Sequence, residues 1–337
     1  MKRNLLVLLT AAASVICIII GTGIGTVYID PYEIIGALAQ RLYDKPLPEG
    51  MDESAVTIIA DIRLPRVLLA FFAGAALSAS GAAIQSVLNN PLASPYTLGV
   101  SSGASVGAGL VIVLGINLLG TFSLAAAGLM GAVLSMGLVI AFSSRIDRNL
   151  GSVSVVLTGM VLSLFLSAGV NLMAYFSGDR YKHIMKWQTG TFSGRGWNYT
   201  LVMAAVCITG VILLMLHSRE LDLLTFGNEQ AISAGVDAGK VKTRLLLISA
   251  VLTGTAVAFS GVIGFIDMIV PQAVRKVFGA EHRYIIPMSA AAGGCFMVIC
   301  DMIARTILAP NEISVGIITA VIGAPVFAYI FMKGYRK

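Results

Sequence analysis

Residues 63–105 read RLPRVLLAFFAGAALSASGAAIQSVLNNPLASPYTLGVSSGAS, and this stretch decides the fold. Two arginines flank a proline in Arg63-Leu64-Pro65-Arg66, and a long run of apolar or small residues follows without a charge. A polar, proline-broken knot comes next, Asn89-Asn90-Pro91-Leu92-Ala93-Ser94-Pro95. A second uncharged run then opens with Gly99, Gly103 and Gly107 at four-residue spacing. A helix that crosses a bilayer core needs about 20 consecutive apolar residues. Glycines at this spacing let helices approach closely where lipid supplies no hydrophobic drive for association. The stretch predicts two membrane helices joined by a tight polar turn.

The composition extends that reading to the whole chain. Of 337 residues, 57% are hydrophobic and 12% charged, where soluble domains average about 25% charged. No hydrophilic block is large enough to be a soluble domain, so residues 1–337 read as one all-α polytopic membrane domain. The net charge of +6 is spread over short basic clusters between apolar runs, which is not the footprint of a nucleic-acid binder. Cys17, Cys207, Cys295 and Cys300 all lie in apolar runs and read as small buried hydrophobes rather than disulfides or ligands. His183, His217 and His282 are far apart and build no metal-ligand spacing. No His-Glu-x-x-His or paired-histidine cluster marks a membrane-embedded enzyme.

In chain order, Lys2 and Arg3 precede an apolar run from Leu5 to Val27. It is longer than the about 7–15 residues of a signal-peptide core and reads as the first membrane helix. Residues 28–61 form an acid-rich loop with few bases, which the positive-inside rule places outside. Within it, Pro31-Tyr-Glu-Ile-Ile-Gly-Ala-Leu38 has the pattern of a short helix lying on the surface. Further membrane helices are expected at about 67–88, 98–119, 121–142, 153–176, 198–216 and 245–261. An interrupted span follows at 264–275, then helices at about 285–305 and 314–332, ten in all, with both termini inside. Lys and Arg favour the inside segments modestly. Trp187 and Trp197, the only tryptophans, read as interface anchors.

The longest inside segment is 217–244, HSRELDLLTFGNEQAISAGVDAGKVKTR. It reads as one or two short amphipathic helices beneath the membrane. Leu221, Leu223, Leu224, Phe226, Ile232 and Val236 are too many apolar residues for an inert connector and point to a docking surface. No phosphate-cradling Gly-x-x-x-x-Gly-Lys-Ser/Thr loop is present. At the nearest approach, Gly239-Lys240, Ala234 stands for the first glycine and Val241 for the hydroxyl residue. The chain carries no cofactor by this reading, and energy must come from a partner or an ion gradient.

Six blocks in order carry a resemblance: Arg63-Leu-Pro-Arg66; Asn90-Pro-Leu-Ala93 with Leu98-Gly-Val-Ser-Ser-Gly103; and Gly261-Val-Ile-Gly-Phe265 to Val270-Pro271. The others are Glu281-His-Arg283 with Pro287; Asp301-Met-Ile-Ala-Arg305; and Gly316-Ile-Ile-Thr-Ala-Val-Ile-Gly-Ala-Pro325. Over about residues 5–335 the chain resembles the FecCD-family permeases of binding-protein-dependent ABC importers for iron-siderophores, haem and cobalamin. The resemblance implies a ten-helix permease like that of the cobalamin importer (a type II ABC importer) in the cytoplasmic membrane of a bacterium. It implies a second FecCD-type permease, identical or paralogous, two ATPase subunits that bind the ATP, and an extracellular or periplasmic substrate-binding protein. The implied cargo is an iron chelate, an Fe(III)-siderophore most commonly, with haem or cobalamin as alternatives. An ion-coupled secondary transporter is the rival reading.

By the same resemblance, residues 219–239 are the segment that couples to the ATPase, with Leu223, Phe226, Gly227, Ala231 and Gly235 at its matching positions. Arg63, Arg66 and Arg305 match positions that pair with acids of the binding protein, where guanidinium–carboxylate pairing fixes orientation. Snorkelling to lipid headgroups is the alternative for all three. Asn90, Leu92 and Ser152 match the cytoplasmic narrowing of the pore, with a plain structural turn as the alternative. Two positions depart from the family pattern, Asp267 for glycine and Gln272 for histidine. An ionisable residue in a short, proline-broken span is expected to face a cavity or a partner. Asp267 and Gln272 are therefore expected either to face the pore or the partner permease, or to hydrogen-bond each other.

Overall fold

A computed structural model describes residues 2–25, 29–43 and 53–335 of the protein. Residues 44–52 of the expected outside loop and the terminal bases Arg336 and Lys337 lie outside the described residues. Fifteen α-helices follow one another: α1 (Lys2–Gly23), α2 (Pro31–Tyr43), α3 (Glu53–Thr57), α4 (Leu64–Val87) and α5 (Val100–Leu114). Next are α6 (Ser123–Ile146), α7 (Ser152–Phe176), α8 (Tyr181–Gln188), α9 (Trp197–Leu216), α10 (Ser218–Leu224) and α11 (Asn228–Ser233). The last four are α12 (Ala238–Ser260), α13 (Ile266–Phe278), α14 (His282–Thr306) and α15 (Val315–Tyr335). There is no strand among the described residues.

Seven helices among the described residues are long and apolar enough to cross a membrane, and α5 and α15 are shorter apolar helices. The 13-residue α13 takes the place of the expected interrupted span. The deciding stretch supplies the centre of the bundle. α4 packs against α14, α12, α9 and α13, and 83% of its most apolar window is buried, against 17% for α1 and α7. Alanine, glycine and serine dominate its sequence, as suits a helix surrounded closely by others without a hydrophobic drive. The glycine spacing of α5 works as expected. A Cβ on Gly103 would overlap the carbonyl oxygen of Gly131 on α6, so the two backbones touch where no side chain could stand.

Four features differ from the sequence expectation, the first being that α5 ends at Leu114, five residues before the expected 119. α4 is continuous with α3 through a π-helical segment, Ile58–Arg63. The segment expected outside is thereby a folded cap: Ile29, Ile34, Ala37, Val56 and Ile59 form a small core of their own. α12 begins at Ala238, seven residues before the expected 245, although Lys240, Lys242 and Arg244 read as loop charges. Asp237 caps it by accepting from the Lys240 N–H at 3.2 Å, and the buried Lys242 donates from Nζ to the Leu150 carbonyl at 2.9 Å. The stretch between α7 and α9, expected as plain loop, contains α8. Trp197 ties α9 to the cap by donating from Nε1 to the Ala60 carbonyl at 2.9 Å.

Candidate functional site

Arg63 and Arg66 stand three residues apart at the start of α4, Arg305 one turn beyond Asp301 at the end of α14. Folding brings all three together at one end of the bundle, buried. Arg66 grips the fully buried Asp301 with Nε at 3.1 and 3.2 Å from its two oxygens and Nη2 at 2.9 Å from Oδ1. Its Nη1 donates to Glu312 Oε1 at 2.7 Å, in the connection between α14 and α15. Arg305 Nε lies 3.5 Å from Asp301 Oδ2, and its Nη2 donates to the Gly21 carbonyl. Arg63 Nη1 donates to the carbonyls of Thr22 and Gly23 at 3.3 and 3.1 Å. The last carbonyls of α1, where the helix dipole is negative, thus receive two guanidinium groups. The arginines therefore do not point to lipid headgroups: they join α1, α4, α14 and the segment that follows. Burial pushes the Glu312 carboxyl up, but the hydrogen bond and charge of Arg66 outweigh it and hold it below its ordinary range.

At the opposite end of α4 the Asn-Pro knot closes on itself. Asn89 takes φ +45°, and the Leu92 N–H donates to Asn90 Oδ1 at 2.9 Å, an Asx turn that asparagine favours. Ser152, the first residue of α7, donates from Oγ to the Leu88 carbonyl. Leu92 is exposed. Of the expected narrowing residues, Asn90 and Leu92 thus lie in the knot after α4, and Ser152 ties the start of α7 to it through the Leu88 carbonyl.

Asp267 and Gln272 hold the same turn from α13. Ser94 donates from Oγ to Asp267 Oδ2, and Gln272 donates from Nε2 to the Pro91 carbonyl at 3.3 Å. Gln85 on α4 donates to the Asp267 carbonyl at 3.1 Å. Neither alternative expected for this pair holds for Asp267, which is 1% exposed and bonded to Ser94 rather than to Gln272. The cause is a close approach: a Cβ on Gly81 would overlap the Asp267 carbonyl, so α13 lies directly on α4 and turns this carboxylate inward. Gln272 is half-buried at the edge of the knot.

The segment expected to couple forms two short helices, α10 and α11. Gly227 at φ +107° and Gly235 at φ +86° end them in conformations that glycine adopts readily. Its apolar residues divide in two. Leu221, Leu224 and Ala231 are buried in the chain's own core, and Leu223 and Val236 pack partly against it. Phe226 and Ile232 remain 71% and 46% exposed. The expected docking surface is therefore narrower than its six apolar residues suggested. A cleft of about 370 Å³ separates this segment from the knot, with Asn89, Ser152, Phe226 and Gly227 on its walls.

Polar contacts that sequence reasoning missed connect the segment to the bundle. His282 donates to Asp222 Oδ1 from its backbone N at 2.9 Å and from Nδ1 at 2.6 Å. Its Nε2 lies 2.5 Å from Ser86 Oγ on α4. Arg275 on α13 donates from Nη2 to the same Ser86 Oγ at 3.2 Å, and from Nη1 to Gln85. A chain of hydrogen bonds thus runs from α10 through the start of α14 to the last turn of α4 and to α13. His282 and Asp301 lie in blocks that carried the resemblance, and a lone aspartate in an apolar run is itself a signal. Asp222 and Ser86 gave none. Among the described residues no group of three His, Cys, Asp or Glu side chains could hold a metal ion.

Comparison with known proteins agrees with this arrangement. Residues 13–333 match the FecCD transport family. The chain is 42% identical over 290 residues to the uncharacterized ABC transporter permease protein YvrB of Bacillus subtilis, covering 85% of this chain and 82% of that protein. It is 38% identical over 277 residues to the hemin transport system permease protein HmuU of Yersinia pestis, with 81% and 82% covered. Among solved structures, an inward-facing metal-chelate type ABC transporter superposes with a TM-score of 0.84 at 29% identity, covering 98% of this chain and 99% of that one. The fold of membrane helices is thus shared along nearly the whole chain, and the protein belongs to the FecCD transport family, as a non-catalytic, multi-pass permease component of an ABC transporter.

Proposed function

We propose that this chain, with a second FecCD-type permease, forms the pathway by which an ABC importer carries an iron chelate across the cytoplasmic membrane. Two separate ATPase subunits supply the energy, and a substrate-binding protein delivers the cargo. The observation that carries the reading is the divided coupling segment: Phe226, between α10 and α11, and Ile232 on α11 are exposed, while Leu221 and Leu224 of α10 and Ala231 of α11 anchor the segment in the core. An element built this way transmits a partner's movement as a rigid-body shift, here into the Asn90–Leu92 turn and the Ser152 start of α7 across the intervening cleft. Leu223, Gly227, Ala231 and Gly235 shape and seat that element, and both termini lie on its side of the membrane. The binding protein sits over the opposite end, where Glu312 is the partly exposed member of the arginine cluster. Arg63, Arg66 and Arg305 hold that surface in shape for it. The hemin-named relative and the metal-chelate-named structure support the cargo class.

The test is purification of the tagged chain in mild detergent from its own host, with mass spectrometry of what accompanies it. An ATPase with a phosphate-binding loop, a second permease-type chain or copy and a substrate-binding protein are expected. Phe226→Asp should remove the ATPase alone from that set. A chain that purifies without any ATPase, and supports uptake in ATP-free vesicles under an ion gradient, contradicts the proposal.

A further inference from the structure

The ends of α5, α6 and α12 on the arginine-cluster side, together with α8, surround an open cleft of about 540 Å³. Pockets for small ligands span about 300–1,000 Å³. Its walls bring Arg180, Lys186 and Arg195 together with His183, with no carboxylate among the described lining residues. Ile112, Leu124 and the ring of Trp187 make up its apolar side. Two recessed donors on lining residues have no acceptor, the indole Nε1 of Trp187 and Nε of Arg195. The Arg195 guanidinium is held 4.8 Å over the Tyr199 ring, and Arg180 donates to the Val113 carbonyl. Two of the three cations are thus fixed in place before anything binds. A buried donor left without an acceptor is costly, and here two lie beside a cavity of positive potential.

We propose that this cleft is a binding station for an anionic, amphiphilic metal chelate at the outer mouth of the pathway, a step that rests on the permease reading. Carboxylate or catecholate oxygens of the chelate accept from Trp187 Nε1 and from the Arg180, Lys186 and Arg195 cations, while its apolar body lies on Ile112 and Leu124. Charge-assisted hydrogen bonds of this kind are about twice as strong as neutral ones. The concave shape and recessed donors favour a small molecule over an acidic face of the binding protein, which would meet only the rim. Position agrees as well. Ser193 of the cleft lies against Glu312 of the arginine cluster, so a chelate released by a protein docked there enters the cleft directly.

The two tryptophans make the test selective. In the full-length chain carrying Trp197→Phe, Trp187 is the single indole, and its fluorescence is titrated with hemin, with ferric citrate and with the neutral chelate ferrichrome. Free N-acetyltryptophanamide corrects for absorption by the chelate. Saturable quenching by hemin or ferric citrate is expected, weakened by salt, with ferrichrome at least tenfold weaker. Lys186→Gln, at an exposed position, and Arg195→Gln should each raise the half-saturating concentration about tenfold or more. Quenching that stays linear with every probe, that is equal for ferrichrome, or that is unchanged in both variants overturns the proposal. So does a loss of binding-protein capture in the variants with quenching intact. In the assembled importer, wild-type uptake with variants of unchanged half-saturation would also overturn it while leaving the permease reading standing. ATP-driven uptake of no chelate at all would instead count against that reading.

Discussion

At the residue scale, the Arg66–Asp301 pair shows what a buried charge does in this fold. Asp301 accepts a bidentate grip from Arg66 and an ion-pair contact from Arg305 inside the bundle. Removing one partner of a buried pair leaves an unpaired charge and costs about 3–5 kcal/mol. Asp301→Asn should therefore lower the detergent-solubilised melting temperature strongly, and a melting curve on the purified chain checks it. Arg66→Lys should not rescue function, since an ammonium cannot reproduce the bidentate geometry. Asp267 has a different setting. Asparagine keeps the acceptor for Ser94, so Asp267→Asn should change stability by no more than about 1 kcal/mol and leave uptake near wild type. A large loss of uptake in a stable, assembled Asp267→Asn protein would show that its charge acts in transport. The three arginines were grouped in the sequence by the family resemblance alone, as partners for acids of a binding protein, whereas here they meet groups of the chain itself. Their acidic partners were not legible there, because Asp301 and Arg66 are 235 residues apart and nothing local states which charge meets which.

At the element scale, local patterns served best where one helix meets its neighbour by shape. The Gly99-x-x-x-Gly103-x-x-x-Gly107 spacing marked the α5 face that touches α6. Gly103→Leu should force the pair apart at the Gly131 carbonyl, a loss of about 1–3 kcal/mol or more from overpacking, seen as poor expression and a lower melting temperature. Patterns failed where tertiary contacts override them. The three bases of Lys240-Val-Lys242-Thr-Arg244 read as loop, yet Lys242 spends its charge on the Leu150 carbonyl and α12 begins before them. Likewise the apolar residues of 217–244 read as a docking surface, but the sequence did not tell which of them face the chain's own core. The Asp222–His282–Ser86 connection was silent, since each of its residues is unremarkable in its own segment. Asp222→Ala should leave the chain folded and, on the proposed docking by Phe226 and Ile232, able to bind its ATPase, because those two residues are untouched. It should raise ATP hydrolysis per chelate imported several-fold, as measured by parallel hydrolysis and uptake assays.

At the scale of the whole molecule, hydropathy was sufficient for the architecture and insufficient for the purpose. Apolar runs separated by glycine, proline and charged clusters located the spans, because a bilayer fixes the length of any helix that crosses it. The helices that face outward, α1 and α7, are the ones with least of their surface buried within the chain, and lipid or a second permease would cover them. The order of six short blocks, rather than any one of them, carried the family. The measurement that tests the account most directly is uptake by proteoliposomes containing the purified importer, with radioactive-iron ferric citrate or hemin offered through the binding protein and ATP on the ATPase side. Uptake that requires ATP, survives collapse of ion gradients and disappears with Phe226→Asp is the predicted result. Uptake that persists without ATP and follows an ion gradient would contradict it.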